Sequence, residues 1–356
     1  MIKVMVVDDS AFMRRVISDI INQQTDMQVV GTARDGQETL QKVKDLAPDV
    51  ITMDVEMPVM DGLQALEVIM KENPLPIIML SGLTRSGADA TMKALHLGAV
   101  DFIPKPSGSI SLDIDKISVD IVDKIRIAAA TRGMIRRLPS VAPRLPQPLI
   151  RPTSVTTTTG LHKSLNKLVV IGTSTGGPKA LHEVIPGLPG DLMAGVLVVQ
   201  HMPPGFTRSL ADRLNSLSEV TVKEAEHGEP VLPGHVYVAP GDYHLKVKRR
   251  DESTGPKLFV NLTQDPLVSG HRPSVDAMFE SVVQEFWSPV LGVVMTGMGS
   301  DGTKGAGGIK QKGGKIIAED KSTCIVYGMP KSVIESGNSD IVAPLPNIAR
   351  EIVKSI

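Results

Sequence analysis

The chain has 356 residues, of which 42% are hydrophobic and 22% charged, and its formal net charge is −1. This length predicts two domains, and the balance of charge argues against a surface built to bind nucleic acid. The apolar run at the N-terminus is short and ends at Asp8, so we expect no signal peptide. No apolar stretch is long enough to cross a membrane. The single cysteine, Cys324, cannot form an internal disulfide, which is typical of a reducing compartment. We therefore expect a cytoplasmic protein without membrane insertion.

A proline-rich segment divides the chain near its middle. Five prolines fall between positions 139 and 152, and four threonines follow at 156–159. Proline removes a backbone donor and fixes φ, so this segment forms neither a continuous helix nor a central strand. We interpret residues 139–160 as a partly extended linker. The alternative is a long surface loop within a single domain.

The first half alternates between apolar, β-branched runs and segments with helical periodicity. Strands are predicted at residues 4–7, 29–33, 50–53, 77–80 and 100–103, and helices near 11–22, 36–46, 62–72 and 87–97. This order predicts a parallel sheet covered by helices on both faces. A last helix is predicted near 113–137, with Ile117, Ile121 and Ile125 as its buried stripe.

The second half repeats the α/β pattern with different landmarks. Continuous apolar runs at residues 167–171, 196–200, 290–296 and 315–318 predict fully buried parallel strands. Shorter strands are predicted at 235–239, 245–247 and 258–261, with a hairpin turn in 250–256. The fold class is therefore α/β in both halves, with a doubly wound, mostly parallel sheet and a small antiparallel addition in the second.

Carboxylates follow two of the strands in the first half. Asp8 and Asp9 end the first strand and Asp54 ends the third, so all three converge on one edge of a parallel sheet. Clustered carboxylates repel one another unless a cation lies among them, and Mg²⁺ prefers such oxygen ligands. Ser81 and Lys105 follow the fourth and fifth strands at the same edge. A lysine and a hydroxyl beside a metal-bound carboxylate predict a site for a phosphoryl group.

The motifs VVDDS, DVEMPVMDG, MLSG and FIPKP, in this order, resemble those of response-regulator receiver domains. The resemblance covers residues 1–125 and implies a flavodoxin-like sheet of five parallel strands. It implies that Asp54 accepts the phosphoryl group and binds Mg²⁺ together with Asp9. Asp8 would bind the ion through water, and the Glu56 carbonyl would be a further ligand. The resemblance also implies two residues that sense the phosphate: Ser81 and Lys105.

A serine follows the first strand of the second half, in Gly172-Thr-Ser174-Thr-Gly176. A dinucleotide fingerprint would need glycine where Ser174 stands. The sequence matches G-x-S-x-G instead, which places a serine at a tight turn from strand to helix. A helix is predicted to begin at Gly177 or Pro178, and its first N–H groups can hold an anion. The motif alone is weak, because many such turns carry no chemistry.

A nucleophilic serine needs a base and a group that orients the base. His201 ends the apolar strand at 196–200, so it shares a sheet edge with Ser174 if the two strands are neighbours. His271, which precedes a helix with a capping serine, is the competing base. Asp301 follows the strand at 290–296 and is the predicted acid. Asp276 is the alternative, but a helical pattern surrounds it and favours exposure to solvent. The order Ser, His, Asp differs from that of α/β-hydrolases, and geometry rather than order defines a triad.

Six segments of the second half resemble the chemotaxis protein-glutamate methylesterases (CheB): GTSTGG, QHMPPGFTRSLADRLN, HVYVAPG, GHRPSVDAMF, TGMGSDG and GMPKSVIESG. With the receiver and the linker, the resemblance covers essentially the whole chain. It implies Ser174 as nucleophile, His201 as base and Asp301 as third member. It also implies that the backbone N–H groups of Thr175 and Met298 stabilise the oxyanion.

This resemblance implies hydrolysis of glutamate γ-methyl esters and deamidation of glutamines, both regulated by phosphorylation. The domains would be a receiver at 1–125, a helix end and linker at 126–164, and a catalytic domain at 165–356. The substrate would be the cytoplasmic helices of a chemoreceptor, and a chemotaxis histidine kinase would be the phosphodonor. Mg²⁺ is expected at the receiver, no cofactor at the esterase, and a monomer as the oligomeric state. Arg208, Arg213 and His271 are candidates for contacts with the acidic receptor surface, although exposed, solubilising charge is the favoured interpretation of each arginine.

Two other classes of output were considered for the second half. A nucleotide-binding fold that only docks partners would contain no activated hydroxyl. A transcription factor would need a recognition helix or a basic stripe, and residues 165–356 contain neither.

Overall fold

The computed structural model describes residues 1–105, 114–135, 165–250 and 257–356. The chain divides into two compact units, Met1–Val141 and Ala142–Ile356. The predicted linker, residues 251–256 of the predicted hairpin turn and the side chain of Ile117 lie outside the described residues. Within the described ranges, no helix is both long and apolar enough to span a bilayer.

The first unit contains a five-stranded parallel sheet with the strand order β2-β1-β3-β4-β5. Its strands are β1 (Ile2–Val7), β2 (Met27–Ala33), β3 (Val50–Asp54), β4 (Ile77–Ser81) and β5 (Asp101–Pro104). Its helices are α1 (Ala11–Asn22), α2 (Gly36–Leu46), α3 (Gly62–Glu72), α4 (Arg85–Leu97) and α5 (Ile114–Ile135). This is the flavodoxin-like order, and the predicted fold of the first half is confirmed.

Side-chain caps begin four helices of this unit. Ser10 caps α1 and Asp35 caps α2, and Thr84 caps α4. Asp61 and Gln64 form a reciprocal capping box at α3. Because a cap satisfies backbone N–H groups that have no partner within the helix, each helix starts within a few residues of the preceding strand. The short loops that result hold the acidic cluster in place.

The second unit contains a seven-stranded sheet in which every paired strand is parallel, in the order β14-β13-β12-β6-β7-β9-β8. Its strands are β6 (Leu168–Thr173), β7 (Gly195–Gln200), β8 (Thr221–Glu224), β9 (His235–Val238), β12 (Leu291–Val294), β13 (Lys315–Glu319) and β14 (Ile341–Ala343). Its α-helices are α6 (Gly177–Val184), α7 (Phe206–Leu217), α8 (Val275–Glu285), α9 (Thr303–Gln311), α10 (Met329–Glu335) and α11 (Leu345–Ser355). The central strands β12, β6 and β7 are buried along their whole length, as expected for a sheet covered on both faces.

A separate antiparallel pair, β10 (His244–Arg249) and β11 (Leu258–Thr263), packs against α8. The backbone N–H of Val247 donates to the hydroxyl of Ser281 on that helix, at 2.8 Å. The predicted small antiparallel addition is therefore confirmed. The strand predicted at 290–296 is shorter than expected, because the chain leaves the sheet after Val294 to form the loop that carries Asp301.

Candidate active site

Three neighbouring strands bring the predicted triad residues together. β6 lies between β12 and β7, and Thr173, the last residue of β6, is paired with Gln200, the last of β7. Ser174 and His201 follow directly, and the His201 N–H donates to the Thr173 carbonyl at 3.2 Å. Asp301 lies in the loop after β12. All three residues are therefore at the carboxyl edge of the sheet, where parallel α/β folds collect functional groups.

The turn around Ser174 depends on glycine at both ends. A Cβ atom at Gly172 would collide with Val275, and one at Gly176 would lie 2.7 Å from Cβ of Ile325. Gly176 also has a φ of +79°, a conformation that glycine adopts at no steric cost. The Ser174 N–H donates to the Thr296 carbonyl at 3.1 Å. The serine is thus fixed at a sharp turn, with α6 beginning at Gly177 as predicted.

Gln200 ties the ends of β6 and β7 together, and the sequence analysis did not single it out. Its side-chain nitrogen donates to the carbonyls of Ser174 (2.9 Å) and His201 (3.2 Å), and its oxygen accepts from the Thr173 hydroxyl at 2.7 Å. The side chain is buried. A polar residue at the end of the apolar run VLVVQ was the signal that could have found it.

His201 and Asp301 form a buried hydrogen-bonded pair. Nε2 of the imidazole lies 2.8 Å from Oδ2 of Asp301, and the two side chains are 6% and 2% exposed. Nδ1, the other ring nitrogen, is buried and has no hydrogen-bond partner in the part of the chain that the structure describes. The nitrogen that remains available to a hydroxyl is therefore Nδ1.

The Asp301 carboxylate sits at the N-terminus of α8. It accepts hydrogen bonds from the Ser274 hydroxyl (2.9 Å) and from the backbone N–H groups of Val275 (2.7 Å) and Asp276 (2.9 Å). Free N–H groups and the helix dipole favour an anion at this position. Burial alone would raise the pKa of Asp301, but the hydrogen bonds from His201 and from these N–H groups outweigh it and hold the pKa below its ordinary value.

The exposure expected for Asp276 is wrong. Its side chain is buried and accepts a hydrogen bond from the Gly305 N–H at 2.8 Å, which joins α8 to α9. Burial, together with the nearby charge of Asp301, raises the pKa of Asp276 to about 6. The side chain that bonds to His201 is that of Asp301, not Asp276.

His271, the competing base, stacks on His201. The ring centroids are 3.8 Å apart and the planes differ by 9°. These two rings and Asp301 bring potential metal-ligand atoms within 4.8 Å of one another. The lone pairs of an imidazole lie in the ring plane, so two parallel rings at this separation do not direct them to one point. The arrangement is a stack rather than a metal centre.

Two backbone N–H groups near Ser174 were predicted to stabilise an oxyanion. The described residues supply no acceptor for the backbone N–H groups of Thr175 and Met298. Gly297 brings the second of these close, because a Cβ atom there would lie 2.8 Å from Cβ of Ser174 and collide with Sδ of Met329. Glycine is therefore required where this loop passes the serine.

A buried carboxylate supports the same loop. Glu319, at the end of β13, is fully buried and accepts hydrogen bonds from the Thr296 N–H (2.8 Å) and the Thr323 hydroxyl (2.9 Å). The Thr296 hydroxyl in turn lies 3.0 Å from the Thr175 carbonyl. Burial raises the pKa of Glu319. Thr296 thus connects a buried acid to the turn that carries Ser174.

The acidic cluster of the first unit is also assembled. Ligand atoms of Asp8, Asp9 and Asp54 lie within 4.8 Å of one another. Nζ of Lys105 lies 2.6 Å from Asp54 and 2.8 Å from Asp8. Burial raises the pKa of Asp54 to about 6 in spite of Lys105, and the Asp8 charge adds to the rise. A set of oxygen donors that repel one another fits a hard divalent cation.

Ser81 does not face this cluster directly. Its hydroxyl is buried and lies 3.0 Å from the carbonyl of Gly87 in α4. Among the described residues, no hydrogen bond joins the Ser81 hydroxyl to Asp54 or to the Lys105 side chain. A role in sensing phosphate would require the hydroxyl to exchange this bond for one to the phosphoryl group.

The first unit has a flavodoxin-like fold, and the second is an α/β domain built on a seven-stranded parallel sheet with a small antiparallel pair. The family model described as CheB methylesterase matches residues 169–352, and the model described as response regulator receiver domain matches residues 4–114. The chain therefore belongs to the CheB methylesterase family and carries a receiver domain.

Curated relatives match over the full length. A protein from Syntrophomonas wolfei named protein-glutamate methylesterase/protein-glutamine glutaminase 1 is 52% identical over 354 residues, which cover 99% of both chains. A protein with the same activities in its name from Thermotoga maritima is 49% identical over 355 residues, covering 100% of this chain and 98% of the relative. The crystal structure of the Thermotoga maritima CheB methylesterase catalytic domain is 51% identical and covers 54% of this chain and 99% of its own, with a TM-score of 0.52.

Proposed function

We propose that this chain hydrolyses the γ-methyl esters of glutamate side chains, and deamidates glutamines, on the cytoplasmic helices of chemoreceptors. The observation that carries the proposal is the convergence of Ser174, His201 and Asp301 at one sheet edge, with His201 bonded to Asp301 at 2.8 Å. The names of the full-length relatives supply the substrate class.

The reaction is acyl transfer from methanol to water. Nδ1 of His201 takes the proton of the Ser174 hydroxyl as its oxygen attacks the ester carbonyl, and Nε2–H donates to Asp301. The imidazolium then protonates the departing methoxide, and methanol leaves. Water attacks the acyl-enzyme by the same route and releases the glutamate carboxylate. With glutamine the leaving group is ammonia.

The negative oxygen of each tetrahedral intermediate is stabilised by the backbone N–H groups of Thr175 and Met298. The absence of a protein acceptor for these two groups supports this role. Removing one such donor typically costs roughly 3–4 kcal/mol of transition-state stabilisation. The lowered pKa of Asp301 supports its role, because a permanent carboxylate stabilises the imidazolium that forms on His201.

The receiver at residues 1–125 regulates this activity through phosphorylation of Asp54 by a chemotaxis histidine kinase. Asp8, Asp9 and Asp54, with the Glu56 carbonyl, would hold Mg²⁺, which supplies positive charge to the phosphoryl group. Lys105 binds that group directly. The Ser81 hydroxyl turns from the Gly87 carbonyl towards the phosphoryl group. The receiver motifs imply each of these roles.

Residues 126–164 connect the receiver to the catalytic domain at 165–356 in this proposal. Phosphorylation of the receiver raises the activity of the catalytic domain in this proposal. The proposed protein acts as a monomer in the cytoplasm.

The experiment is methanol release from methylated receptor, measured with and without a small-molecule phosphodonor. The wild type is expected to be stimulated, Ser174→Ala to be inactive, and Asp54→Asn to keep basal activity without stimulation. A binding module would release no methanol, and its Ser174 would not be labelled by a serine-directed phosphonate. Equal stimulation of wild type and Asp54→Asn would contradict the regulatory part alone.

A further inference from the structure

The ring of His271 covers one face of the His201 ring, at a centroid distance of 3.8 Å. Among the described residues, the imidazole of His201 has a single hydrogen bond, through Nε2 to Asp301. Rotation of a histidine ring about its terminal torsion has a broad energy profile, so one hydrogen bond leaves the direction of Nδ1 weakly fixed. A parallel ring in contact with the face restricts that rotation.

The chain segment that presents His271 is rigidly built. Val268 and His271 exchange two backbone hydrogen bonds, of 3.1 and 2.9 Å, around a two-residue turn. The two turn residues, Ser269 and Gly270, both have positive φ, +54° and +79°, as a type I′ hairpin turn requires. Nδ1 of His271 lies 2.7 Å from the Ser269 carbonyl, which sets the orientation of the ring.

The next residue anchors this turn. The guanidinium of Arg272 donates to Oδ1 of Asp242 at 2.6 and 3.0 Å, and to the carbonyls of Gln264 and Asp265 at 3.0 Å each. The backbone N–H of Asp242 donates back to the Arg272 carbonyl at 3.2 Å. A planar guanidinium with four such bonds holds its backbone in one place.

The same segment also holds the acid of the triad. After Arg272 and Pro273 the chain enters α8, where Ser274, Val275 and Asp276 donate their three hydrogen bonds to Asp301. Residues 271–276 therefore contact both members of the pair. At one end of this segment, the His271 ring stacks on His201, and at the other end N–H and O–H groups bond to Asp301. A surface loop that merely offered a histidine to substrate would need no such arrangement.

We propose that His271 is a positioning residue for the catalytic base: its stacked ring holds the His201 imidazole so that Nε2 stays on Asp301 and Nδ1 faces Ser174. This inference rests on the proposed roles of His201 and Asp301. The part of His271 that positions His201 is the flat face of its ring, because Nδ1 of that ring is bonded to the Ser269 carbonyl. The substitution that tests it keeps a flat ring and removes the nitrogens.

The experiment compares His271→Ala with His271→Phe in the full chain, measuring kcat and KM for methanol release from methylated receptor. His271→Ala is expected to lower kcat by about 10- to 100-fold, the scale of a small misplacement in an active site, with KM nearly unchanged. His271→Phe is expected to retain most of kcat. The matched control is His235→Ala, which removes a partly buried histidine near Tyr237 outside the site and should leave kcat unchanged.

A second readout does not depend on turnover. The imidazole proton between His201 and Asp301 should give a low-field proton resonance that persists in His271→Phe and is broadened or lost in His271→Ala. Ser174→Ala keeps this resonance and abolishes methanol release if the proposed function is right.

Three results would overturn the inference. A raised KM with unchanged kcat in His271→Ala would make His271 a substrate contact, and equal damage in the Ala and Phe variants would make its nitrogens the important part. Unchanged kcat and an unchanged resonance in His271→Ala would remove any role in positioning. Methanol release by Ser174→Ala would instead contradict the proposed function, whatever the His271 variants do.

Discussion

Asp301 meets His201 through Nε2 of the imidazole, which leaves Nδ1 as the ring nitrogen without a hydrogen bond among the described residues. In the chymotrypsin triad the two nitrogens have the opposite roles. Either nitrogen can serve as the base, provided that the carboxylate fixes the proton on the other. In the proposed mechanism, the contact with Asp301 therefore decides the tautomer of His201, and with it which ring nitrogen activates Ser174.

Asp301→Asn should lower kcat by about 10⁴-fold, because the amide no longer favours the tautomer with a proton on Nε2. Asp276→Asn should keep kcat within a few-fold, because Asp276 contacts Gly305 and not His201. Methanol release under saturating substrate measures both. Equal losses in the two variants would contradict the assignment of Asp301 as the third member of the triad.

Asp276→Asn should also make the second unit more stable at pH 8. The pKa of Asp276 in the folded protein is raised from 3.8 to about 6. Its contribution to the free energy of unfolding is therefore most favourable below pH 4 and is lost as the pH rises through 6. The asparagine oxygen still accepts from Gly305 and carries no buried charge. The gain should be roughly 1–3 kcal/mol at pH 8, since one pKa unit is worth 1.36 kcal/mol.

Thermal unfolding of wild type and Asp276→Asn at pH 4 and pH 8 measures this effect. The difference should be much smaller at pH 4, where Asp276 is neutral in the folded protein and partly protonated in the unfolded chain. A stability difference that is the same at both pH values would contradict the electrostatic explanation.

Mg²⁺ should stabilise the receiver at pH 8 and lose this effect as the pH falls below 6. Asp54 has a raised pKa of about 6, so protons displace the cation from it in that range. Ligand binding to the folded state raises stability by about 2.7 kcal/mol at a concentration 100 times the Kd. Thermal unfolding with and without MgCl₂ tests this, and Asp54→Asn is the control that should respond weakly at either pH.

Gly297→Ala should reduce kcat by about 100-fold, because the new methyl group collides with Met329 and lies 2.8 Å from Cβ of Ser174. Gly308→Ala, in the middle of α9, meets only Val283 at ordinary contact distances. That control should keep full activity and be slightly stabilised, by up to about 1 kcal/mol. Full activity in Gly297→Ala would show that the loop shifts without cost.

Much of the fold follows from local signals in the sequence. Helices α1, α2 and α3 have the predicted bounds, and side-chain caps such as Asp35 and Asp61 fix where two of them start. The edge strand β14 was missed because it has only three residues and is half exposed, so it leaves no apolar run.

The sequence predicted some residues of the candidate site but not the contacts that hold them. Ser174 and His201 were placed at one edge because parallel strands share their carboxyl ends. The contacts that hold them in register come from residues far apart in sequence, such as Gln200 with Ser174 and Glu319 with Thr296. The hydrophobic periodicity of a sequence does not indicate such long-range pairs. Asp276 was misjudged because a helix pattern does not reveal that α9 covers the N-terminus of α8.

The central position of β12, β6 and β7 has a consequence for how the second unit loses activity. Strands at the edge of a sheet open locally at low free-energy cost, whereas central strands exchange their amide hydrogens through larger openings. β14 and β8, the two edge strands, can therefore fray while the catalytic edge stays intact. Hydrogen exchange should reach the amides of β6 last, and inactivation on heating should coincide with cooperative unfolding of the domain rather than with the first loss of structure.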